Sequence, residues 1–435
     1  MLITFLRNLT IGRTSTILVM TLALMFSLPG CHSSNVRHST IEVTPKSAII
    51  VVPGYYGTRL VRESDRTLVW ISPSEALFGN QPLTLPISSL ELTNTIALQP
   101  DTILDTVDVI PFLYSVDVYG SLLDTLRSTY AGKARVIPLT YDWRKDLMIA
   151  IQNLDLRIKQ LRQEGTQNIT LVAHSLGGLI VSYYLRYGTQ EIESAQETWE
   201  GAESVSSVVM AGVPFLGVMN SFRNMNFGVT VKWNTSMLTS EAYSSFPSSY
   251  YTLPALDLDQ LLTTNLQTIH GMIRNPKNWE QSGWGLLQDK STLSDPVIKK
   301  RAEYMSHWLR HSQKFLALLH APPRTQSQHN FPSLMYLYAK GSPTLGNGIW
   351  LQQKTQGTDS LYFDNREPTS PIAAINPTVL YEDGDETVSV RSALLPPAYH
   401  ILPTTIQTYA VGHTELVSNS GIQEDILSFL NKSLH

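Results

Sequence analysis

A chain of 435 residues, 43% hydrophobic and 16% charged, with a formal net charge of −4 and a mean hydropathy of −0.06, is neither disordered nor fibrous in composition. The slightly acidic total, without a long basic run, gives no reason to expect nucleic acid as a partner. This length is also one that a single α/β enzyme domain with an insertion routinely fills.

Residues 1–30 read as a leader and not as part of the fold. Arg7 and Arg13 supply a positive start, TSTILVMTLALMFSL an apolar core too short for a comfortable membrane span, and LPGC follows. This resembles a bacterial lipoprotein signal, in which Cys31 would become the lipidated first residue of the mature chain. Cys31 is the single cysteine, so no disulfide can form within one chain. With His32 next to it, the signal points to a lipid-anchored envelope protein, with the outer membrane slightly favoured. Residues 31–46, which are polar through the stretch from Ser33 to Pro45, then read as a tether.

The expected fold, residues 47–435, begins at SAIIVV, an apolar β-branched run that stops at Pro53-Gly54 and so predicts a buried strand entering a tight loop. Residues 58–110 are poorly periodic and suggest a subdomain or long loop. From residue 115 onward strands and helices alternate. SLLDTLRSTY predicts a helix, ARVIPLTYDW a strand, KDLMIAIQNLDLRIKQLRQEG a helix, NITLVA a buried strand, LGGLIVSYYLRYG a helix and VSSVVMAGVP another strand. Such alternation implies a mainly parallel sheet with helices on both faces. Between about 215 and 330 the rhythm stops, as expected for an inserted cap above the sheet. Beyond it, SLMYLYA, a hairpin at GNGIWLQQ, PTVLYE and TTIQTYAV read as strands, and ILSFLNKSL as a closing helix.

LVAHSLGG, residues 171–178, carries the first chemical signal. Ser175 lies between an apolar strand and an apolar helix, the context of a nucleophile elbow, G-x-S-x-G, although Ala173 replaces the first glycine. The competing reading is a serine that caps the following helix. A nucleophilic serine needs a base and an acid, which in the α/β-hydrolase fold follow it in the order acid, then histidine. DGDET offers Asp383 and Asp385 at the end of an expected strand, and VGHTEL places His413 in the loop before the last helix. His174 is adjacent to the serine, but neighbours at an elbow point in different directions. Asp142 precedes the serine, and Asp364 lies outside the strand-end pattern. Donors for an oxyanion would be the Leu176 amide and, from the loop VVPGYYG, the Tyr55 amide. No His/Cys/Asp grouping has metal-ligand spacing, and no cofactor motif occurs.

Together these segments resemble the lecithin:cholesterol acyltransferase family. IIVVPGYYGTRL is similar to its oxyanion loop, LTYDWRKD to its Y-D-W-R segment, LVAHSLGGLIVSYYL to its elbow, and VVMAGVPFLGVMNSF to the turn into its lid. SLMYLYAKGSPT and VLYEDGDETVSVRS resemble the stretch ending in its acid, and VGHTELV the segment of its histidine. The resemblance implies Ser175 as nucleophile, Asp385 as acid, His413 as base, and the Tyr55 and Leu176 amides as the oxyanion hole. It also implies a membrane-contact role for residues 58–110, with Trp70, Leu77 and Phe78 as candidates, core packing being the competing reading for each of the three, and a scaffold role for Asp142, Trp143 and Arg144. The expected activity is acyl transfer from a membrane phospholipid or other lipid ester through an acyl-enzyme. The acceptor would be water or a lipid alcohol, selected by the segment around residues 217–250. A general carboxylesterase, or a non-catalytic binding lipoprotein on the same scaffold, is the competing expectation.

Overall fold

The computed structural model describes residues 45–72, 79, 83–87, 97–110, 114–231, 234–255, 258, 260–288, 290–324, 331–351, 360–363 and 375–433. All fall within one unit, Pro45–His435. The leader, the Cys31 expectation, Leu77, Phe78 and Asp364 lie outside the described residues.

Six strands form the central sheet: β1 (Ser47–Val52), β2 (Ala134–Pro138), β3 (Asn168–His174), β4 (Ser207–Ala211), β5 (Ser333–Ala339) and β6 (Thr404–Tyr409). Their order is β6-β5-β4-β3-β1-β2, and every pairing is parallel. Helices α1 (Gly120–Thr129), α2 (Leu147–Gln163), α3 (Leu176–Tyr187), α4 (Met219–Phe227), α5 (Asp295–His320) and α6 (Ser420–Ser433) accompany them.

The side-chain alternation of a strand decides which core each residue joins. Ile49, Val51, Val172 and Val209 pack with Leu122, Leu126, Ile422 and Ile426, so α1 and α6 cover one face. Ala48, Ile50, Leu171 and Met210 pack with Ile151, Leu154, Leu179 and Ile180, so α2 and α3 cover the other. Helix α2 is set by an apolar stripe at 147, 151, 154, 158 and 161, all buried, and by Asp146, whose side chain accepts the Met148 N–H at 3.2 Å as N-cap. Helix α3 is buried along all its 12 residues and is apolar on every side apart from Ser182 and Arg186, which pairs with Glu197. Burial on both faces also explains why β1, β3 and β4 carry uninterrupted apolar runs. No helix among the described residues is long and apolar enough to cross a membrane.

Two expectations change. GNGIWLQQ makes no hairpin: Ser342–Leu345 pairs with Tyr381–Gly384, whereas Gly348–Leu351 pairs with Leu261–Leu262 and Ser360–Tyr362. PTVLYE is not a strand throughout. Pro377–Leu380 is a 3₁₀ turn, initiated by Asn376, whose side chain accepts the Thr378 N–H, and only Tyr381–Gly384 is extended. Of the two readings of Trp70, the structure shows core packing. The residue is 5% exposed, packs edge-on against Trp143 with centroids 5.1 Å apart, and donates its indole N–H to the Tyr56 carbonyl at 3.0 Å. Its strand, Leu68–Trp70, belongs to a three-stranded antiparallel sheet with Thr58–Arg62 and Leu98–Ile103. The connection from β4 to β5 contains α4, α5 and several short elements, including helical turns at Ser240–Ser245 and Pro247–Tyr251.

Candidate active site

Ser175 follows the last residue of β3 and precedes the first of α3, with φ 54° and ψ −124°. A non-glycine residue holds such a conformation only where its surroundings enforce it. Here the Ser175 N–H donates to the Ala211 carbonyl at 2.8 Å, and the Gly178 N–H returns to the Ser175 carbonyl at 2.8 Å. A Cβ at Gly177 would lie 2.3 Å from the carbonyl oxygen of Val52 and one at Gly54 would lie 2.7 Å from the Ser175 Cβ, so both positions require glycine. Ala173 faces no such limit: its methyl is accommodated, fully buried, where β3 runs between β1 and β4, opposite Val52 and Met210. The constraint lies after the serine, where α3 turns back over the end of β1.

Downstream, His413 Nδ1 lies 2.7 Å from Asp385 Oδ2, and the His413 N–H donates to the Asp385 carbonyl at 3.0 Å. The other carboxylate oxygen accepts the Thr387 N–H at 3.0 Å and the Val388 N–H at 2.6 Å. Asp385 is 1% exposed. Burial alone would raise its pKa, but His413 and the two amides outweigh that effect and hold the carboxyl below its ordinary range. Asp383, the other acid that the sequence left open, is exposed and accepts only the Gly341 N–H, at 2.5 Å. Among the described residues His413 Nε2 has no hydrogen-bond partner, although it is buried.

Ser175, His413, Leu176 and Tyr55 all line one cavity of about 600 Å³. Its wall is largely aromatic and aliphatic, from Tyr56, Trp70, Ile71, Leu104 and Val118, with Asn220, Arg223 and Asn224 of α4 adding a polar strip. The Tyr55 and Leu176 backbone N–H groups have no acceptor among the described residues. The Gly54 N–H, by contrast, is occupied by the Tyr119 hydroxyl at 2.7 Å.

The Y-D-W-R segment braces this loop. The Tyr141 hydroxyl donates to the Pro53 carbonyl at 2.7 Å and the Trp143 indole to the Thr58 carbonyl at 3.1 Å, one on each side of Gly54-Tyr55-Tyr56-Gly57. Arg144, 1% exposed, makes a two-pronged pair with Asp142 at 2.9 and 2.8 Å and donates to the Leu83 carbonyl at 3.0 Å. The Tyr55 ring stacks on Tyr243 at 5.7 Å, and its hydroxyl meets Ser249 Oγ at 2.8 Å, tying the loop to the Ser240–Tyr251 segment.

His174 stands behind the serine, not at its hydroxyl. Its Nδ1 meets the Tyr119 hydroxyl at 2.8 Å and its Nε2 the His413 carbonyl at 3.1 Å. Tyr119 was not singled out by the sequence, because an aromatic residue preceding a helix carries no signal of what it will reach 55 residues later. Among the described residues no group of three or more His, Cys, Asp or Glu side chains could hold a metal ion.

One protein from Saccharomyces cerevisiae, itself uncharacterized, is 25% identical over 211 residues, 47% of this chain and 29% of its own length. The chain thus spans under a third of that relative. Among solved structures, the Tle4–Tli4 complex is similar with a TM-score of 0.53 at 13% identity, over 90% of this chain and 99% of that one. The mature form of the Bacillus licheniformis lipase BlEst2 has a TM-score of 0.33 at 12% identity, over 88% and 91%. The former likeness shows a shared fold, a parallel sheet flanked by helices. The family model of lecithin:cholesterol acyltransferase matches residues 112–398, more than half of the chain. The protein belongs to the lecithin:cholesterol acyltransferase family.

Proposed function

We propose that the protein transfers an acyl group from a lipid ester through an acyl-enzyme on Ser175. The observation that carries this reading is the Asp385–His413 pair, hydrogen bonded at 2.7 Å, with the free Nε2 of His413 in the same cavity as a serine held at an elbow. In the proposed reaction His413 Nε2 takes the Ser175 proton while Oγ attacks the ester carbonyl. Asp385 keeps Nδ1 protonated and offsets the imidazolium charge. The Tyr55 and Leu176 amides stabilise the oxyanion. The imidazolium then protonates the leaving alcohol, and the acceptor attacks the acyl-enzyme with His413 again as base. The apolar wall supports a lipid acyl chain as the group carried.

The proposed donor is a membrane phospholipid or related lipid ester, and the acceptor is water or a lipid alcohol. In the same proposal, Cys31 is lipidated after cleavage of the leader and holds the enzyme at the bacterial envelope. The test is incubation of the full protein with phosphatidylcholine vesicles containing sterol or diacylglycerol, followed by mass spectrometry of the products, beside the Ser175→Ala variant. Free fatty acid alone marks a phospholipase, and a new sterol ester or triacylglycerol an acyltransferase. Turnover of short soluble esters without either product would replace the lipid reading with a general esterase. Equal activity of Ser175→Ala would remove the serine mechanism.

A further inference from the structure

We propose that Tyr119 and His174 are positioning residues for acyl transfer, forming a hydrogen-bonded chain that runs from the Gly54 amide to the His413 carbonyl and sets the oxyanion loop against the loop of the base. The inference rests on the acyl-transfer reading of Ser175.

Both ends of the chain have fixed polarity. An amide N–H can only donate, so the Tyr119 hydroxyl accepts from Gly54 at 2.7 Å and must spend its own proton on His174 Nδ1, 2.8 Å away. A carbonyl can only accept, so His174 Nε2 carries the ring proton and donates to the His413 carbonyl at 3.1 Å. Each donor meets an acceptor only when His174 is neutral with its proton on Nε2. Charging the ring would place a proton on Nδ1 and leave the Tyr119 hydroxyl proton without an acceptor. Tyr119 is 2% and His174 5% exposed, and both border the cavity that holds Ser175. Burial, followed by the neighbouring His413, pushes the His174 pKa down to about 3, in keeping with a neutral ring.

Three consequences bear on the chemistry. Engaging the Gly54 N–H holds the loop at the cavity, where the Tyr55 N–H has no acceptor among the described residues. Fixing the His413 main chain complements the Asp385 bond to its side chain, so the base is held from both ends. The ring centroids of His174 and His413 are 4.7 Å apart, and a neutral His174 adds no second cation beside the imidazolium formed during catalysis.

Tyr119→Phe, His174→Gln and His174→Asn separate these links. Asparagine keeps an acceptor where Nδ1 stood and loses the donor to His413; glutamine keeps that donor and loses the acceptor for Tyr119. Steady-state kinetics on p-nitrophenyl butyrate, expressed per site titrated with a fluorophosphonate, should show kcat reduced about 10- to 100-fold in each single variant with KM nearly unchanged. Melting temperatures identify any loss that is simple unfolding, and titration removes it from the rate. Tyr119→Phe combined with His174→Gln should lose less than the product of the single losses, because both cut the same link. Full kcat per titrated site in Tyr119→Phe or His174→Gln, or strictly multiplicative losses, would overturn the proposal. A wild-type protein that the fluorophosphonate does not label would instead overturn the acyl-transfer reading on which it rests.

Discussion

Replacing Asp385 by asparagine tests the site at the point where its geometry is most constrained. One carboxylate oxygen faces His413 Nδ1 at 2.7 Å, while the other accepts two backbone N–H groups, from Thr387 and Val388. An asparagine oxygen will turn toward the two amides, since pointing the NH₂ group at them forfeits two hydrogen bonds of about 1 kcal/mol each, a preference of roughly thirtyfold. The NH₂ then faces His413 Nδ1, which must accept, and the ring proton moves to Nε2, where it blocks uptake of the Ser175 proton. Such a tautomer trap lowers kcat by about 10⁴, equivalent to roughly 5 kcal/mol of transition-state stabilisation, while leaving substrate binding intact. Asp383→Asn keeps an acceptor for its single Gly341 contact and should change kcat by no more than about twofold, as for other surface substitutions. The assay is kcat per fluorophosphonate-titrated site on p-nitrophenyl butyrate for both variants. Retention of a tenth or more of wild-type kcat by Asp385→Asn, or a collapse in Asp383→Asn, would refute the assignment of the acid.

Two further predictions concern the framework. Gly177→Ala sets a Cβ 2.3 Å from the Val52 carbonyl, which cannot move without displacing β1, and should cost about 1 to 3 kcal/mol or more in urea unfolding. Ala173→Gly, although it restores the usual elbow pattern, should lower stability by about 1 to 2 kcal/mol through lost methyl burial and added chain entropy, with kcat per titrated site unchanged. Equal stability of Gly177→Ala and the wild type would contradict the close approach of α3 to β1. In the buried Arg186–Glu197 pair, at 2.6 Å, burial opposes ionisation, but the Arg186 hydrogen bonds prevail and lower the Glu197 pKa to about 2. Because the folded pKa lies below the unfolded one, this stabilisation is complete above about pH 4.5 and disappears as pH falls toward about 2. Melting temperatures across that window should fall less steeply in Glu197→Gln than in the wild type; parallel curves would show that the pair contributes nothing to acid stability.

Much of the site was legible in the sequence because its signals are local. The strand-serine-helix order around Ser175, the glycine at 177 and the order of acid and histidine follow from requirements of a few adjacent residues. Ser175 at φ 54° reflects one such requirement, an elbow between β3 and α3. Asp383 and Asp385 could not be separated by position alone, since both follow an extended segment. The resemblance of the G-D-x-T-V stretch favoured Asp385, and the tertiary placement of His413, 28 residues farther on, brings its ring to that carboxylate. The expected hairpin at GNGIWLQQ failed for a related reason: turn residues favour a reversal, but the partners of Ser342–Leu345 and Gly348–Leu351 are set by which unpaired strands are available in space.

The sequence by itself determined the parallel α/β architecture and the elbow, because burial on both faces of a sheet and the sterics of a tight turn are written in short-range pattern. Tertiary structure decided what surrounds them. Trp70 turned inward to pack on Trp143, Tyr141 and Trp143 gripped the carbonyls flanking the oxyanion loop, and Tyr119 reached His174 at the end of β3. These contacts join residues tens of positions apart, and the buried polar groups that make them find partners only once the chain has closed around them.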